Sequence, residues 1–158
     1  MNTTFTIADC MKKNVISIPV TASIGQAAAL LASHHIGSLP VVENSGRLVG
    51  LIQLHDLLAL VLPDFVRLVE DFDFVGDFGA IEMRKPDASS LSIPVNKVMQ
   101  TAISVNRNCG LLRAYSVLRQ MKVHDLPVVD ETGYLIGIAS RVDIGSLLLS
   151  TWNITPAE

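Results

Sequence analysis

Residues 17–57 and 104–144 align without a gap at a constant offset of 87, and eleven of the 41 paired positions are identical. The clearest part of the repeat is Leu39-Pro40-Val41-Val42-Glu43-Asn44-Ser45-Gly46-Arg47-Leu48-Val49-Gly50-Leu51-Ile52-Gln53-Leu54-His55-Asp56. Its later copy runs Leu126-Pro127-Val128-Val129-Asp130-Glu131-Thr132-Gly133-Tyr134-Leu135-Ile136-Gly137-Ile138-Ala139-Ser140-Arg141-Val142-Asp143. An internal duplication of this size limits the architecture more than any other property of the chain, because whatever one copy folds into, the other must also fold into.

Each copy reads as an apolar Val-rich run, an acidic turn with a glycine, a second apolar run and a polar step into a helix-periodic segment: strand, turn, strand, helix. Pro40 and Pro127 are expected at the first residue of their strands, where a missing N–H costs little. Gly46 and Gly133 fall where a hairpin turn asks for positive φ. Upstream, Val15-Ile16-Ser17-Ile18-Pro19 predicts a short extended segment. Thr21 or Ser23 then caps a helix with Ile24, Ala27, Ala28, Leu31 and Ala32 on its apolar side, closed by His34 and His35. Neighbouring residues on a helix point about 100° apart, so the two histidines suit a helix C-terminus better than a shared metal ion. In the later half Ala102-Ile103-Ser104-Val105 parallels the extended segment, and Leu111, Ala114, Tyr115 and Leu118 predict a helix from about Leu111 to Met121. Leu54 to Leu62, before Pro63, and Asp143 to Trp152 are expected as apolar helices, the last of them buried against a second subunit.

A β-α-β-β-α unit of this size cannot cover both faces of its own small sheet. Two units packed face to face can, and the expected product is an α/β (α+β) molecule with pseudo-two-fold symmetry and a cleft on either side, walled by both halves. The expected divisions are 1–62 for the first repeat, 63–93 for an insertion, 94–154 for the second repeat and 155–158 for a tail.

The chain has 158 residues, 49% hydrophobic and 17% charged, with a formal net charge of −3. Phosphate neutralisation needs clustered Lys and Arg, and no basic block here exceeds two residues, which argues against a general nucleic-acid binder. Residues 14–42 carry no charged side chain, yet Pro19, Gly25, Gly37 and Pro40 interrupt them, so they read as core rather than a membrane span. Met1 to Thr6 lacks the pattern of a secretory signal, and a cytoplasmic location is expected. Cys10 and Cys109, far apart and in no ligand spacing, read as reduced half-buried thiols. No nucleophile, base and acid stand at a recognisable spacing and no Walker-type loop is present, so catalysis is not expected.

The ordered set Met11, Ile16-Ser17-Ile18-Pro19, Leu39-Pro40-Val41-Val42, Gly46, Leu48-Val49-Gly50 and Asp56, followed by Met99, Ile103-Ser104-Val105, Leu126-Pro127-Val128-Val129-Asp130, Gly133, Leu135-Ile136-Gly137, Ser140 and Asp143, resembles a tandem pair of CBS domains, the arrangement called a Bateman module. The resemblance covers nearly all of the chain outside residues 63–93. It implies ligand sensing rather than catalysis, with an adenosine-containing molecule (AMP, ADP, ATP or S-adenosylmethionine) in a cleft between the repeats as a regulatory ligand and no required cofactor or metal. It also implies a homodimer read by a separate partner protein.

On that resemblance Asp143, at the first turn of a helix, accepts the ribose hydroxyls. Ser140 three residues earlier receives a phosphate, and Arg141 between them adds a countercharge. Ser-x-x-Asp at a helix start is also a capping arrangement that needs no ligand. The earlier copy keeps Asp56 but has Gln53 for the serine, which predicts unequal clefts with the Asp143 side the better site. His124 is a candidate phosphate contact in the other cleft. The expected adenine walls are Val15, Ile16 and Ile36 on one side and Ile103, Val123 and Leu126 on the other.

The insertion carries Phe65, Phe72, Phe74 and Phe78 and the acids Asp64, Glu70, Asp71, Asp73, Asp77, Glu82 and Asp87. Phe65, Leu68, Val69 and Phe72 predict a short amphipathic helix, and the acids form no calcium-loop pattern. The segment is expected to pack on the module or line a dimer or partner contact. The competing reading of the whole chain is a constitutive dimerisation and protein-interaction scaffold with non-functional clefts.

Overall fold

A computed structural model describes residues 4–61 and 85–155. The expected order appears twice. In the first repeat it is β1 (Ile18–Pro19), α1 (Ile24–His34), β2 (Ser38–Val42), β3 (Leu48–Gln53) and α2 (Leu54–Leu58). A short helix α3 (Ala88–Leu91) and strand β4 (Gln100–Thr101) precede the second repeat, which runs β5 (Val105–Asn106), α4 (Leu111–Met121), β6 (Asp125–Val129), β7 (Leu135–Ser140) and α5 (Arg141–Ser150). The predicted helix in the insertion lies outside the described residues.

α1 begins at Ser23, whose hydroxyl accepts the Gln26 backbone N–H at 3.2 Å while the Gln26 side chain accepts the Ser23 N–H at 2.9 Å. That reciprocal cap satisfies two of the orphan donors at the helix start. His35, at φ 52°, and Lys122, at φ 54°, end α1 and α4 in the left-handed conformation, so the two helices stop by the same device. The buried stripes, Ile24, Ala27 and Leu31 on α1 and Leu111, Ala114 and Leu118 on α4, follow the helical spacing seen in the sequence.

β1 runs parallel to β2, and β2 antiparallel to β3; β5, β6 and β7 repeat the pattern. Gly46 at φ 89° and Gly133 at φ 88° turn the two hairpins. Pro40 and Pro127 are the third residues of β2 and β6 rather than the first. They are tolerated there because β1 reaches only Val41 and Val42, and β5 only Val128 and Val129, leaving the outer strand edge unpaired at the proline.

The divisions read from the sequence are crossed by the chain. β4, which precedes the second repeat, pairs with β3 through Gln100↔Leu51 and Thr101↔Gly50. Lys12, which precedes the first, bridges Ile138 of β7. Ile7 is fully buried in the core beneath the second sheet, with Leu126, Val128, Ala139 and Ile144, while Val95 is fully buried beneath the first sheet with Leu39, Val41 and Ile52. Each repeat thus surrenders its leading segment to the other's core, and the two cannot be separate beads. The crossings are tight: a Cβ at Gly50 would sit 3.2 Å from the Gln100 carbonyl and against the Met99 side chain, and one at Gly137 would sit 3.2 Å from the Lys12 carbonyl and against Met11. The hairpin turns also clasp, with the Leu48 N–H donating to the Gly133 carbonyl at 3.1 Å and the Leu135 N–H to the Gly46 carbonyl at 3.2 Å.

One expectation about helices changes. α2 is one short helix ending at Leu58, with Leu54 and Leu58 about half exposed, and Leu62 and Pro63 lie outside the described residues. α5 packs Leu147 and Leu148 on the second core but leaves Val142, Leu149 and, beyond its end, Trp152 exposed. Within one chain the last helix is therefore buried on one side only.

Candidate functional site

α5 begins where β7 ends, and its cap builds one wall of a cleft. Asp143 Oδ2 accepts both the backbone N–H and the hydroxyl of Ser140, each at 2.8 Å, and Ser140 Oγ accepts the Asp143 N–H at 3.1 Å. The capping box expected from the sequence is therefore formed. It leaves Asp143 Oδ1 with no hydrogen-bond partner among the described residues, and the Lys12 ammonium lies 3.7 Å from Oδ2.

In front of this pair is a cavity of about 290 Å³. Val15, Ile16 and Ile36 of the first repeat line it together with Ser140 and Asp143 of the second, so five of the sequence-predicted site residues meet there. The size is at the small end of ligand pockets. Lys12, Asn14, His35, Gly37, Ser38, Asp125 and Ile138 complete the lining and were not among the site residues read from the sequence. Nearby, burial first and then the charges of Asp143 and Asp9 push the Cys10 thiol above its ordinary pKa. The Cys109 thiol is likewise raised by burial, an effect opposed by Arg113. Both thiols are free and half-buried.

The remaining candidates fall elsewhere. Arg141 does not face the cavity: its guanidinium contacts the His124 ring nitrogen Nδ1, and the two line a separate surface groove with Arg119 and Lys122. The countercharge expected beside Asp143 is thus turned away, since two residues along a helix, at about 100° each, put the two side chains on nearly opposite faces. Leu126 has no exposed surface and supports the second core, while Val123, also of that core, lines the His124–Arg141 groove as well. Ile103, the counterpart of Ile16, packs against that same core.

The Asp56 side is built on the same plan with other side chains. Asp56 Oδ2 accepts the Gln53 N–H at 2.9 Å, while Oδ1 accepts the Gln100 side-chain amide at 2.8 Å and lies 3.1 Å from His55 Nε2. Both carboxylate oxygens are occupied. Gln53 itself is 2% exposed, and its Oε1 has no partner. Among the described residues no group of three or more His, Cys, Asp or Glu could hold a metal ion. No helix there is long and apolar enough to cross a membrane.

Two crossed β-α-β-β-α repeats with a shared cleft, carrying a capping carboxylate at each second helix, define a paired-repeat class of module. The chain matches the CBS domain family over residues 7–63 and again over 95–150, and it belongs to that family. It is similar to a CBS domain-containing protein of Dictyostelium discoideum, 26% identical over 152 residues that cover 96% of this chain and 97% of that one. The solved structure of CBSX2 of Arabidopsis thaliana in complex with AMP is 27% identical, with a TM-score of 0.71 over 94% of this chain and 99% of that one. The chain is also 29% identical to a homoserine O-acetyltransferase of Methanocorpusculum labreanum, covering 86% of this chain but 23% of that protein. It spans 62% of the full length of chloroplastic CBSX2.

Proposed function

We propose that the chain binds an adenosine-containing ligand in the cleft in front of Asp143 and Ser140, and that occupancy is read by a separate protein through a homodimer. The observation that carries this reading is the meeting, in one cavity, of apolar side chains from one repeat (Val15, Ile16, Ile36) with an open carboxylate oxygen and a helix start from the other (Asp143, Ser140). The apolar wall suits a purine. Asp143 Oδ1 is free to accept ribose hydroxyls, and the N-terminal end of α5 favours an anion. The AMP complex of the similar CBSX2 supports the same choice of ligand.

Such a ligand touches both repeats at once, so it stabilises one relative arrangement of them. That is what a sensor needs if a partner is to respond. The homodimer is supported by apolar side chains exposed on and beside α2 and α5: Leu54, Leu58, Val142, Leu149 and Trp152. The same exposed faces favour the scaffold reading, in which pairing is constitutive. Light scattering with and without ligand separates the two, since a scaffold pairs identically in both.

Thermal unfolding with AMP, ADP, ATP and S-adenosylmethionine tests the binding itself. A ligand at 100 times its dissociation constant adds about 2.7 kcal/mol to stability. A chain whose melting temperature is unmoved by all four overturns the proposal in favour of the scaffold.

A further inference from the structure

We propose that Asp125 makes this cleft select adenosyl ligands carrying one phosphate or none over those carrying a di- or triphosphate chain, an inference that rests on the adenosyl-ligand reading. Asp125 opens β6 and lines the cavity with Asp143 and Ser38. It is the register partner of Ser140 across β6 and β7, so the carboxylate stands on the same face of the sheet as the hydroxyl that would meet a phosphate. Its Oδ2 lies 4.0 Å from where a Cβ on Gly37 would be, which aims it at the backbone of the facing wall. It is half-buried, yet among the described residues its carboxylate accepts no hydrogen bond and has no cation within 4.0 Å.

The charge balance of the lining points the same way. Two carboxylates, Asp125 and Asp143, face one fixed cation, Lys12, and that ammonium is already 3.7 Å from Asp143. Arg141, the one guanidinium adjacent in sequence, is turned to the other side of the helix start. A first phosphate has the α5 terminus and Ser140 to meet it. Each further phosphate brings more negative charge beside an uncompensated carboxylate.

The two carboxylates bring unmet acceptor oxygens into the cavity. Asp125 and Asp143 Oδ1 can only accept while ionised, and the Ser38 hydroxyl, 3% exposed, has no partner although it lines the same space. Amino and hydroxyl donors of an adenosine answer that need, and a polyphosphate does not. Nor does the fold require the carboxylate, because at the offset of 87 the position equivalent to Asp125 is Ser38.

Isothermal titration of the full chain with adenosine, AMP, ADP and ATP, without divalent cations, tests this in the wild type, Asp125→Ser and Asp125→Asn. In the wild type ATP is expected to bind about tenfold or more weakly than AMP. In the variants that ratio should fall to about threefold or less. Melting curves establish which variants fold, and neither substitution removes a hydrogen bond seen in the fold. ATP binding as tightly as AMP to the wild type overturns the inference, and so does a ratio unchanged in a folded variant. Those outcomes leave the adenosyl-ligand reading standing. Failure of adenosine and every nucleotide to bind the wild type overturns both.

Discussion

The Asp143 and Asp56 sides share a backbone plan and differ in chemistry. Each has a carboxylate three residues into a helix start that accepts the backbone N–H of the capping residue, Asp143 over Ser140 and Asp56 over Gln53. In each, the residue after the leading segment's methionine reaches across to that carboxylate: Lys12 to Asp143 at 3.7 Å, Gln100 to Asp56 at 2.8 Å. The amide hydrogen-bonds the second oxygen of Asp56 and so closes it, whereas the ammonium sits by the oxygen that Asp143 already uses in its cap. Duplication thus preserved the capping carboxylate, which the fold uses twice, and left one cleft with a carboxylate oxygen free for a ligand. The capping role of the carboxylate is common to both repeats, and what leaves Asp143 open to a ligand lies in the side chains that differ, Lys12 against Gln100.

Replacing the two carboxylates breaks or upholds that comparison with the largest effect. Asp143→Ala and Asp56→Ala each remove a helix-start interaction, so both should cost about 0.5–2 kcal/mol of folding stability. Only Asp143→Ala should also remove the ligand-induced rise in melting temperature, and Asp56→Ala should leave it intact. Equal loss of ligand response in both variants would mean that the clefts are functionally equivalent.

The comparison sharpens if the closed cleft can be opened. Gln53→Ser with Gln100→Lys gives the Asp56 side the hydroxyl and the ammonium of the Asp143 side. Titration should then report two ligand sites per chain in place of one, provided the smaller side chain at the buried 53 position is tolerated. A folded double variant that still binds one ligand would show that the difference lies elsewhere than in these two side chains.

Much of this was legible in the sequence because it repeats. Gly46 and Gly133, the Leu-Pro-Val-Val strands, and the Ser-x-x-Asp step all carry local signals, and the structure uses the glycines at positive φ and the Ser140–Asp143 pair as a cap. The exchange of leading segments was not legible. Ile7 and Val95 are ordinary apolar residues, and nothing local says whose core they enter. Asp125 and Ser38 escaped notice for the same reason, since what makes them cavity residues is a neighbour from the other repeat. Arg141 was misplaced by reading adjacency in the chain as adjacency in space, although the rule of 100° per residue that separates His34 from His35 applies equally there. An extended β7 residue followed at once by a helix hides that rule from a linear reading.

At the crossings the effect falls mainly on folding stability. Gly50→Ala and Gly137→Ala each push a methyl group against a methionine and a carbonyl 3.2 Å away, and each should cost about 1–3 kcal/mol of stability, seen as a lower urea midpoint. The strand displaced by Gly137→Ala carries Lys12 into the ligand cleft, so that variant should also weaken binding. Gly50→Ala displaces the strand that carries Gln100 and should leave binding alone. The pair therefore separates loss of the clasp from loss of the site.

The smallest expected effect lies where the hairpin turns meet. Asp130 Oδ1 accepts the Thr132 hydroxyl at 2.7 Å, the Thr132 N–H at 2.9 Å and the Tyr134 N–H at 3.0 Å. These bonds, the Thr132 hydroxyl first, hold its carboxyl below the ordinary range. Its folded pKa being the lower one, the unfolded chain takes up the proton first as the medium is acidified. The stabilisation it gives is present above the unfolded value, about 3.9, and is lost as pH falls through the folded value. The turn lies at the surface, so the loss should be slight, and Asp130→Asn should flatten it. Urea midpoints measured from pH 5 to pH 3 check this: the wild type should decline more steeply than Asp130→Asn, and parallel curves would show that the turn of the second repeat draws no stability from its ionised carboxylate.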